Sequence, residues 1–351
     1  MKISIPSGFG ERDLVSPWTM LLGDDQDVTW NSTMRFAEQM TAAERWLRKV
    51  LEGLSDVQVI EGAWDSSDVS ISSPFKPDDL VDQTIFEGTT IRKPRTVPLH
   101  EFLQHPRYPV VAKDTKANEG HWKFLIKDES GLDTFVNFLR TKGFPVSQFV
   151  FQDFIQQDSH RSYVSSYRVL VGATGQIFAA ALICRDKSSK ASVLPDDPFS
   201  ELTQPDSDWF LGGQEFCSNV AQGGRIFPLE PARQPDRPVD WEEVLKDHSI
   251  DTRRPVLPEQ IEEVSKRVGR LVAPRTDLVL GVDFMTDQSG NHWYLETNSG
   301  PGLATYLYAH KRGFAQTLHL DPFKAITVEA LFALGVDLRS QYPWRNKPYQ
   351  F

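Results

Sequence analysis

The sequence predicts a mixed α/β (α+β) protein. Short apolar segments, either β-branched or alternating with polar residues, recur along the 351-residue chain. Between them lie stretches whose apolar residues follow helical spacing, which predicts amphipathic helices packed on sheets. Hydrophobic residues make up 40% of the chain and charged residues 25%, a composition typical of a globular protein.

Charge and cysteine content argue against several classes of protein. The formal net charge is −10, so we expect no binding to a nucleic-acid backbone. No apolar run approaches the roughly 18 residues of a membrane span, and the N-terminal residues lack the apolar core of a signal peptide. Because the two cysteines, Cys184 and Cys217, have no CxxC spacing, we expect free thiols in a reducing cytoplasm and no zinc site.

The first 95 residues have the pattern of a small α/β domain. Residues 2–5 and 57–60 are predicted to be strands, and residues 33–51 an amphipathic helix. Residues 66–96 are rich in Ser, Asp, Pro and Thr, which predicts a loop or linker.

The next region is predicted to run strand, loop, strand, helix, strand. The predicted elements are the strand 108–113, the loop 114–121, the strand 122–126, a helix capped by Ser130 and ended by Gly143, and the strand 148–155. The first strand ends in Lys113. Taken alone, this lysine is equally well explained as a solvated strand end, and the last strand (FVFQDFI) as part of a core.

Two further strands, residues 163–172 and 176–184, are predicted around a short turn. Arg168 lies in the first strand and Arg185 directly follows the second. Taken singly, either arginine is most simply explained as an exposed strand residue. A later stretch, FCSNVAQGG, has closely spaced glycines that allow a tight backbone approach to a ligand, and Pro258 is predicted to begin a helix.

A hairpin is predicted from the strands 279–285 and 292–297, with turn residues 287–291 between them. Asp283 lies in the first strand, and Glu296 and Asn298 lie at the end of the second, where side chains two apart share a face. Two carboxylates and an amide oxygen on one face suit a hard cation such as Mg²⁺. The alternative is a half-exposed hairpin whose outer face is acidic.

Together, GVDF and WYLETNSGPG resemble the C-terminal metal-binding signature of the ATP-grasp superfamily. The resemblance implies an ATP-grasp fold, in which two lobes clamp one ATP and a small α/β domain precedes them. It divides this chain into an N-terminal domain of residues 1–95, a small nucleotide-binding lobe of 96–157 and a large lobe of 158–351 with the metal and substrate site.

The resemblance also implies roles for individual residues. Metal binding, by Mg²⁺ or by Mn²⁺ as the alternative ion, falls to Asp283, Glu296 and Asn298. Catalytic stabilisation of the transferred phosphoryl group falls to Arg168 and Arg185, since guanidinium groups bind phosphate bidentately. The residues implied to contact ATP are Lys113 at the strand end, the hinge residues Gln152, Asp153, Phe154 and Ile155, the ribose-binding acid Asp158, and Asn219, Gly223 and Gly224 in the glycine-containing loop.

The activity that this resemblance implies is ATP-dependent ligation of a carboxylate to an amine through an acyl phosphate, on an amino acid or peptide. Two alternatives stay open, a kinase-like phosphotransferase and a non-catalytic ATP-binding protein. The loop 114–121 has only one glycine, whereas lids over the phosphates in this family usually have several glycines or serines. We expect small-molecule or peptide partners in the cytoplasm, and the oligomeric state, a homodimer included, stays open.

Overall fold

The computed structural model describes residues 1–7, 44–71, 73–115, 123–187, 210–212, 218, 224–229, 256–299, 317–318, 322–338 and 344–345. In these ranges the chain forms a three-stranded parallel sheet and two five-stranded antiparallel sheets, with helices packed on them. A two-stranded pair, Thr317–Leu318 with Trp344–Arg345, lies near the C-terminus. The predicted α+β class is confirmed.

The N-terminal sheet consists of β1 (Lys2–Ile5), β2 (Gln58–Glu61) and β3 (Val69–Ser70), in the order β2-β1-β3. Of the predicted first helix, residues 44–52 are described, and they form helix α1. The buried side chains of β1 share one core with the far end of the large sheet and with the C-terminal helix Pro322–Ala333. The N-terminal sheet is therefore packed onto the large lobe.

The small sheet has the strand order β10-β6-β5-β7-β4. Its strands are β4 (Thr96–Pro98), β5 (Val110–Asp114), β6 (Lys123–Ile126), β7 (Phe149–Asp153) and β10 (Phe210–Gly212), and two helices accompany it, α2 (Leu99–Phe102) and α3 (Glu129–Lys142). Helix α3 packs its apolar face on the sheet, where Phe135 lies edge-on to Phe149 and Phe151. A short 3-10 helix, Val146–Gln148, leads into β7.

The ends of α3 follow local capping chemistry. The carboxylate of Asp128 accepts a hydrogen bond from the Gly131 backbone N–H at 2.8 Å, so Asp128 is the N-cap. The prediction that Ser130 caps this helix was wrong, because an acid two residues earlier is available to do so. Gly143 has a φ of +76° and ends the helix as predicted.

The large sheet has the strand order β11-β9-β8-β12-β13, and all its pairs are antiparallel. Its strands are β8 (Tyr163–Gly172), β9 (Ile177–Asp186), β11 (Arg225–Pro228), β12 (Val279–Thr286) and β13 (His292–Ser299). Helix α4 (Glu259–Thr276) covers one face, and its buried residues Ile261, Val264 and Val268 join the main core. The other face remains available for a site at the end of the sheet nearest the small lobe.

Residues 73–95 pack against the large lobe and contain two 3-10 helices, Pro77–Leu80 and Gln83–Phe86; a third, Trp64–Ser66, precedes β3. The Tyr294 hydroxyl donates to Asp78 at 2.5 Å, and the Thr90 N–H donates to Gln260 at 3.1 Å. The segment predicted as a linker is therefore a packed connection, which delivers the chain to β4. The proposed division at residues 95 and 157 stays a prediction, and the pairing of Phe210–Gly212 with β6 joins a later segment to the small sheet.

Candidate functional site

The predicted hairpin is formed by β12 and β13, and it places two carboxylates side by side. Asp283 pairs with Glu296 across the strands, and Gly281 pairs with Asn298. Since paired residues share a face of the sheet, Asp283, Glu296 and Asn298 all lie on the face opposite α4. A bulge next to Asp283, with Leu295 as the extra residue of β13, sends Tyr294 to the α4 side, where its side chain is fully buried.

Arg168 holds the Asp283 carboxylate from the neighbouring strand. The two residues are paired in the β8–β12 register. Arg168 Nε donates to Asp283 Oδ1 at 2.8 Å, and Nη2 donates to Oδ2 at 2.7 Å, which makes a bidentate ion pair. The Asp283 side chain is 9% exposed and the Arg168 side chain 24%. The aspartate is thus fixed in orientation.

Two lysines from the small sheet face Glu296. Lys113 on β5 and Lys123 on β6 are cross-strand partners. Lys123 Nζ lies 3.8 Å from Glu296 Oε1, and Lys113 Nζ lies 4.0 Å from Oε2. The positive charge of Lys123, followed by that of Lys113, lowers the pKa of Glu296 to about 2 against the opposing effect of burial. This carboxylate is therefore ionised at neutral pH, and it bridges the two sheets.

The oxygen donors on this face fit a divalent cation of the Mg²⁺ type. Mg²⁺ prefers hard oxygen ligands, takes few of them from protein, and completes its octahedron with water and phosphate oxygens. Asp283, Glu296 and the amide of Asn298, whose Nδ2 lies 3.5 Å from Glu296 Oε1, provide such a set. Within the described ranges no group of three or more His, Cys, Asp and Glu side chains could hold a metal ion. Among the described residues, a cation at this place would have the amide oxygen of Asn298 as its third protein donor.

Arg185 lies on the same face as Arg168, further from the hairpin. It pairs with Val164 on β8. On the same face of β8, Ser166 lies two residues after Val164 and Arg168 lies four residues after it. Its side chain is 1% exposed, so it is enclosed by protein. The Ser166 hydroxyl lies 2.6 Å from that of Ser218, a buried residue, so Ser218 itself lies on the site face.

Part of the predicted glycine-containing loop can be placed. Gly224 is half-buried and directly precedes β11, whose first residue, Arg225, pairs with Cys184 next to Arg185. Asn219 and Gly223 lie outside the described residues, as does most of the predicted lid, from residue 116 to 122.

The predicted hinge residues lie at the end of β7 and directly after it. Gln152 is 5% exposed, and its Nε2 donates to Thr96 Oγ1 at 3.0 Å, which leaves the amide oxygen oriented away from that bond. The Asp153 backbone N–H donates to the backbone carbonyl of Arg95 at 2.9 Å. Phe154 is half-buried and Ile155 is buried.

Asp158, the predicted ribose-binding acid, lies five residues beyond β7. Its carboxylate accepts from the His160 backbone N–H at 3.0 Å and lies 3.8 Å from Arg161. It is half-buried, so one edge of the carboxylate reaches solvent. Nothing in this geometry tests a ribose contact, which stays a prediction.

Lys123 is a site residue that was not among the predicted ones. It is the cross-strand partner of Lys113, and the predicted order of strand, loop and strand was the signal that could have indicated this pairing. Lys93, in the connection that precedes β4, lies 3.2 Å from Asp78 and over the Tyr294 ring at 5.4 Å. It stabilises the connection 73–95.

The similarity of this chain to known proteins is limited to solved structures. No family model matches the sequence, and no curated protein matches it. Among solved structures, the ATP-grasp ligase PsnB complexed with a minimal precursor matches over 89% of this chain and 76% of its own, with 14% identity and a TM-score of 0.38. D-alanine–D-alanine ligase from Bacillus anthracis complexed with ATP matches over 96% and 97%, with 10% identity and a TM-score of 0.41.

N5-carboxyaminoimidazole synthase from Aspergillus clavatus, in complex with ADP and its ribonucleotide, matches over 92% and 74%, with 8% identity and a TM-score of 0.40. Two antiparallel sheets face each other, with a lysine pair on one and the Asp, Glu and Asn hairpin on the other. Because the superpositions have TM-scores below 0.5, they add no argument about the fold or the ligand of this chain. Among its described residues, no helix is long and apolar enough to cross a bilayer.

Proposed function

We propose that this chain is an ATP-grasp protein and an ATP-dependent carboxylate–amine ligase that forms an amide or peptide bond on an amino acid or peptide. The observation that carries the proposal is the approach of Lys113 and Lys123 to Glu296, beside the Asp283–Arg168 pair. Five charged groups from two facing sheets meet there. Such a concentration of ionised side chains between lobes suits a highly charged ligand such as a nucleoside triphosphate.

The proposed roles follow from the charge and position of each group. Lys113 and Lys123 carry compact positive charges on the small sheet, suited to neutralising phosphate oxygens. Asp283, Glu296 and Asn298 would hold Mg²⁺, which offsets phosphate charge and orients the triphosphate when it is bound.

The two arginines are proposed to act on the transferred group. Arg168 orients Asp283 through the bidentate ion pair, and its guanidinium would contact the phosphoryl group after one of these two hydrogen bonds opens. Arg185 is proposed to stabilise the same group from further along the sheet. The hinge, Gln152 to Ile155 with Asp158, is proposed to bind adenosine.

The reaction that these groups support proceeds in two displacements. An oxygen of the substrate carboxylate attacks the γ-phosphorus of ATP, and the bond to the β–γ bridging oxygen breaks, which gives an acyl phosphate and ADP. The amine nitrogen then attacks the acyl carbon, phosphate leaves, and the nitrogen loses a proton. This chain needs no nucleophile of its own, because its residues act by positioning and by charge.

The test is ADP and phosphate release with Mg·ATP, against amino acids and short peptides offered singly and in pairs. We expect release that requires two substrates, with a product lighter by one water than their sum. Release of ADP with a stable phosphate ester would identify the kinase-like alternative. ATP binding without turnover across the panel would favour the non-catalytic alternative.

A single substitution tests the metal assignment separately from the folding of the protein. Glu296→Gln should abolish turnover while the protein remains folded by circular dichroism, because the amide cannot serve as an anionic metal ligand. The exposed Glu87→Gln is the matched control and should retain full activity. Full activity of Glu296→Gln would refute the metal assignment.

A further inference from the structure

Gln157, shortly after the hinge strand β7, completes the backbone hydrogen bonding where β8 and β12 separate. The register between those strands ends at the pair of Phe284 and Tyr167. Ser165 and Thr286 lie beyond that pair. The Gln157 Oε1 accepts from the Ser165 N–H at 3.0 Å, and its Nε2 donates to the carbonyls of Ser165 at 2.7 Å and Thr286 at 3.3 Å.

This bonding engages every polar atom of a primary amide. Both N–H donors and the carbonyl oxygen of the glutamine side chain have a backbone partner here. The amide of Gln157 therefore stands in for a peptide group of the sheet. Glutamate at this position would place a second acceptor against two carbonyl oxygens, so the chemistry requires an amide.

The adjacent residue attaches the hinge to the turn of the hairpin. The backbone carbonyl of Gln156 accepts from the Gln288 N–H at 2.9 Å. Asp287 organises that turn, because its carboxylate accepts from the Ser289 N–H at 2.8 Å and from Trp293 Nε1 at 2.9 Å. Two successive residues thus join the end of the hinge to both the strand ends and the turn of the hairpin.

The position of this junction links the two ends of the proposed ATP site. Thr286 lies three residues along β12 from Asp283, roughly 10 Å at about 3.3 Å per residue. In the other direction, Gln157 follows Ile155 by two residues. The junction therefore lies between the proposed adenine-binding hinge and the carboxylates proposed to bind metal.

We propose that Gln157 is a positioning residue that fixes the spacing between the hinge and the hairpin, so that the adenine and triphosphate ends of one ATP bind together. The inference rests on the proposed function. Two parts of a ligand reinforce each other's binding only when their subsites are held at the matching separation. When that separation varies, ATP loses affinity, whereas a ligand that contacts only the hairpin and the lysines does not.

Inorganic triphosphate is the probe that makes this distinction, because it has the phosphate groups without adenosine. The experiment measures the dissociation constants of ATP and triphosphate, both with Mg²⁺, for wild type, Gln157→Ala and Gln156→Ala. Gln156 is the matched control, since its side chain is exposed and its backbone bond survives substitution.

The ratio of the two dissociation constants is the readout. In Gln157→Ala we expect the advantage of ATP over triphosphate to fall about tenfold, with triphosphate binding changed by less than about twofold. Gln156→Ala should leave the ratio unchanged. Gln157→Glu keeps the side-chain length and should reproduce the loss, which provides a second variant if Gln157→Ala does not fold.

Two results would overturn the inference alone: an unchanged ratio in both Gln157 variants, or equal weakening of ATP and triphosphate. The second result would mean that Gln157 only supports the fold. Wild type that binds neither ligand with Mg²⁺ would overturn the proposed function as well. Failure of the inference about Gln157 can therefore be distinguished from failure of the proposed function.

Discussion

Removing the charge of Glu296 should weaken the contact between the small and large sheets. Glu296→Gln keeps the size of the side chain and removes the negative charge that Lys123 and Lys113 approach at 3.8 and 4.0 Å. Without that charge the attraction between this carboxylate and the two ammonium groups is lost. The variant should therefore unfold more readily than wild type at neutral pH, before any metal or nucleotide is added.

The size of the effect follows from the pKa of Glu296, which is lowered to about 2 from an ordinary 4.5. A shift of this size corresponds to at most about 3 kcal/mol of stability for the ionised form. Because the side chain is 32% exposed, solvent screening reduces the expected contribution to about 1–2 kcal/mol. A lowered pKa stabilises the fold above the ordinary value, and this contribution is lost as pH falls from about 4.5 towards 2.

The assay is urea unfolding of wild type, Glu296→Gln and the control Glu87→Gln, in EDTA, at pH values from 7 down to 2.5. At pH 7 we expect the free energy of unfolding of Glu296→Gln to lie about 1–2 kcal/mol below wild type. That gap should narrow as the pH falls below about 4.5, because wild-type Glu296 becomes protonated in the unfolded state. Added salt should also narrow it.

Equal stability of wild type and Glu296→Gln at pH 7 would show that the two lysines contribute nothing through this carboxylate. A gap that stays constant down to pH 2.5 would also refute the reasoning, since it would come from something other than charge. The control separates a local effect from loss of negative charge on a chain that already carries a net charge of −10.

Four further outcomes are expected. Lys123→Ala should raise the KM for ATP about tenfold or more, measured by steady-state kinetics, because one of two phosphate-facing cations is lost. Gly269→Ala should lower the free energy of unfolding by about 1–3 kcal/mol in urea titration, since its Cβ would lie 2.5 Å from the Gly172 carbonyl oxygen. Tyr294→Phe should cost about 1–3 kcal/mol in the same assay, because a buried hydroxyl with two partners is removed. Burial raises the pKa of the Cys184 thiol to about 12, so peptide mapping should find it unalkylated by iodoacetamide at pH 8 until the protein is unfolded.

The elements that the sequence predicted best are those with strong local signals. The hairpin around residues 287–291 was expected from turn residues between two apolar segments, and β12 and β13 lie where that pattern placed them. The end of α3 at Gly143 was expected for the same kind of reason, since glycine adopts positive φ without strain.

What the sequence could not give is the pairing of distant groups. Arg168 was predicted to face a phosphoryl group, and nothing local indicates that it first binds Asp283, 115 residues away. The approach of Lys123 to Glu296 depends on how one sheet is placed against another, which no periodicity encodes. Lys93 shows the same limit, because its partner Asp78 is fixed by the packing of a segment that looked like a linker.

The bulge at Leu295 has a consequence for how this hairpin can change. Tyr294 and Glu296 are two residues apart, and in an uninterrupted strand both would point the same way. The extra residue reverses the alternation of side chains between the two faces of β13 once. The same strand therefore places Tyr294 in the aromatic core and Glu296 in the acidic cleft. Deleting Leu295 would force either a carboxylate into the core or a tyrosine into the cleft. The exposed residues of the turn at 288–291 do not determine which face a side chain of the strand occupies. Length variation in this hairpin should therefore be confined to its turn.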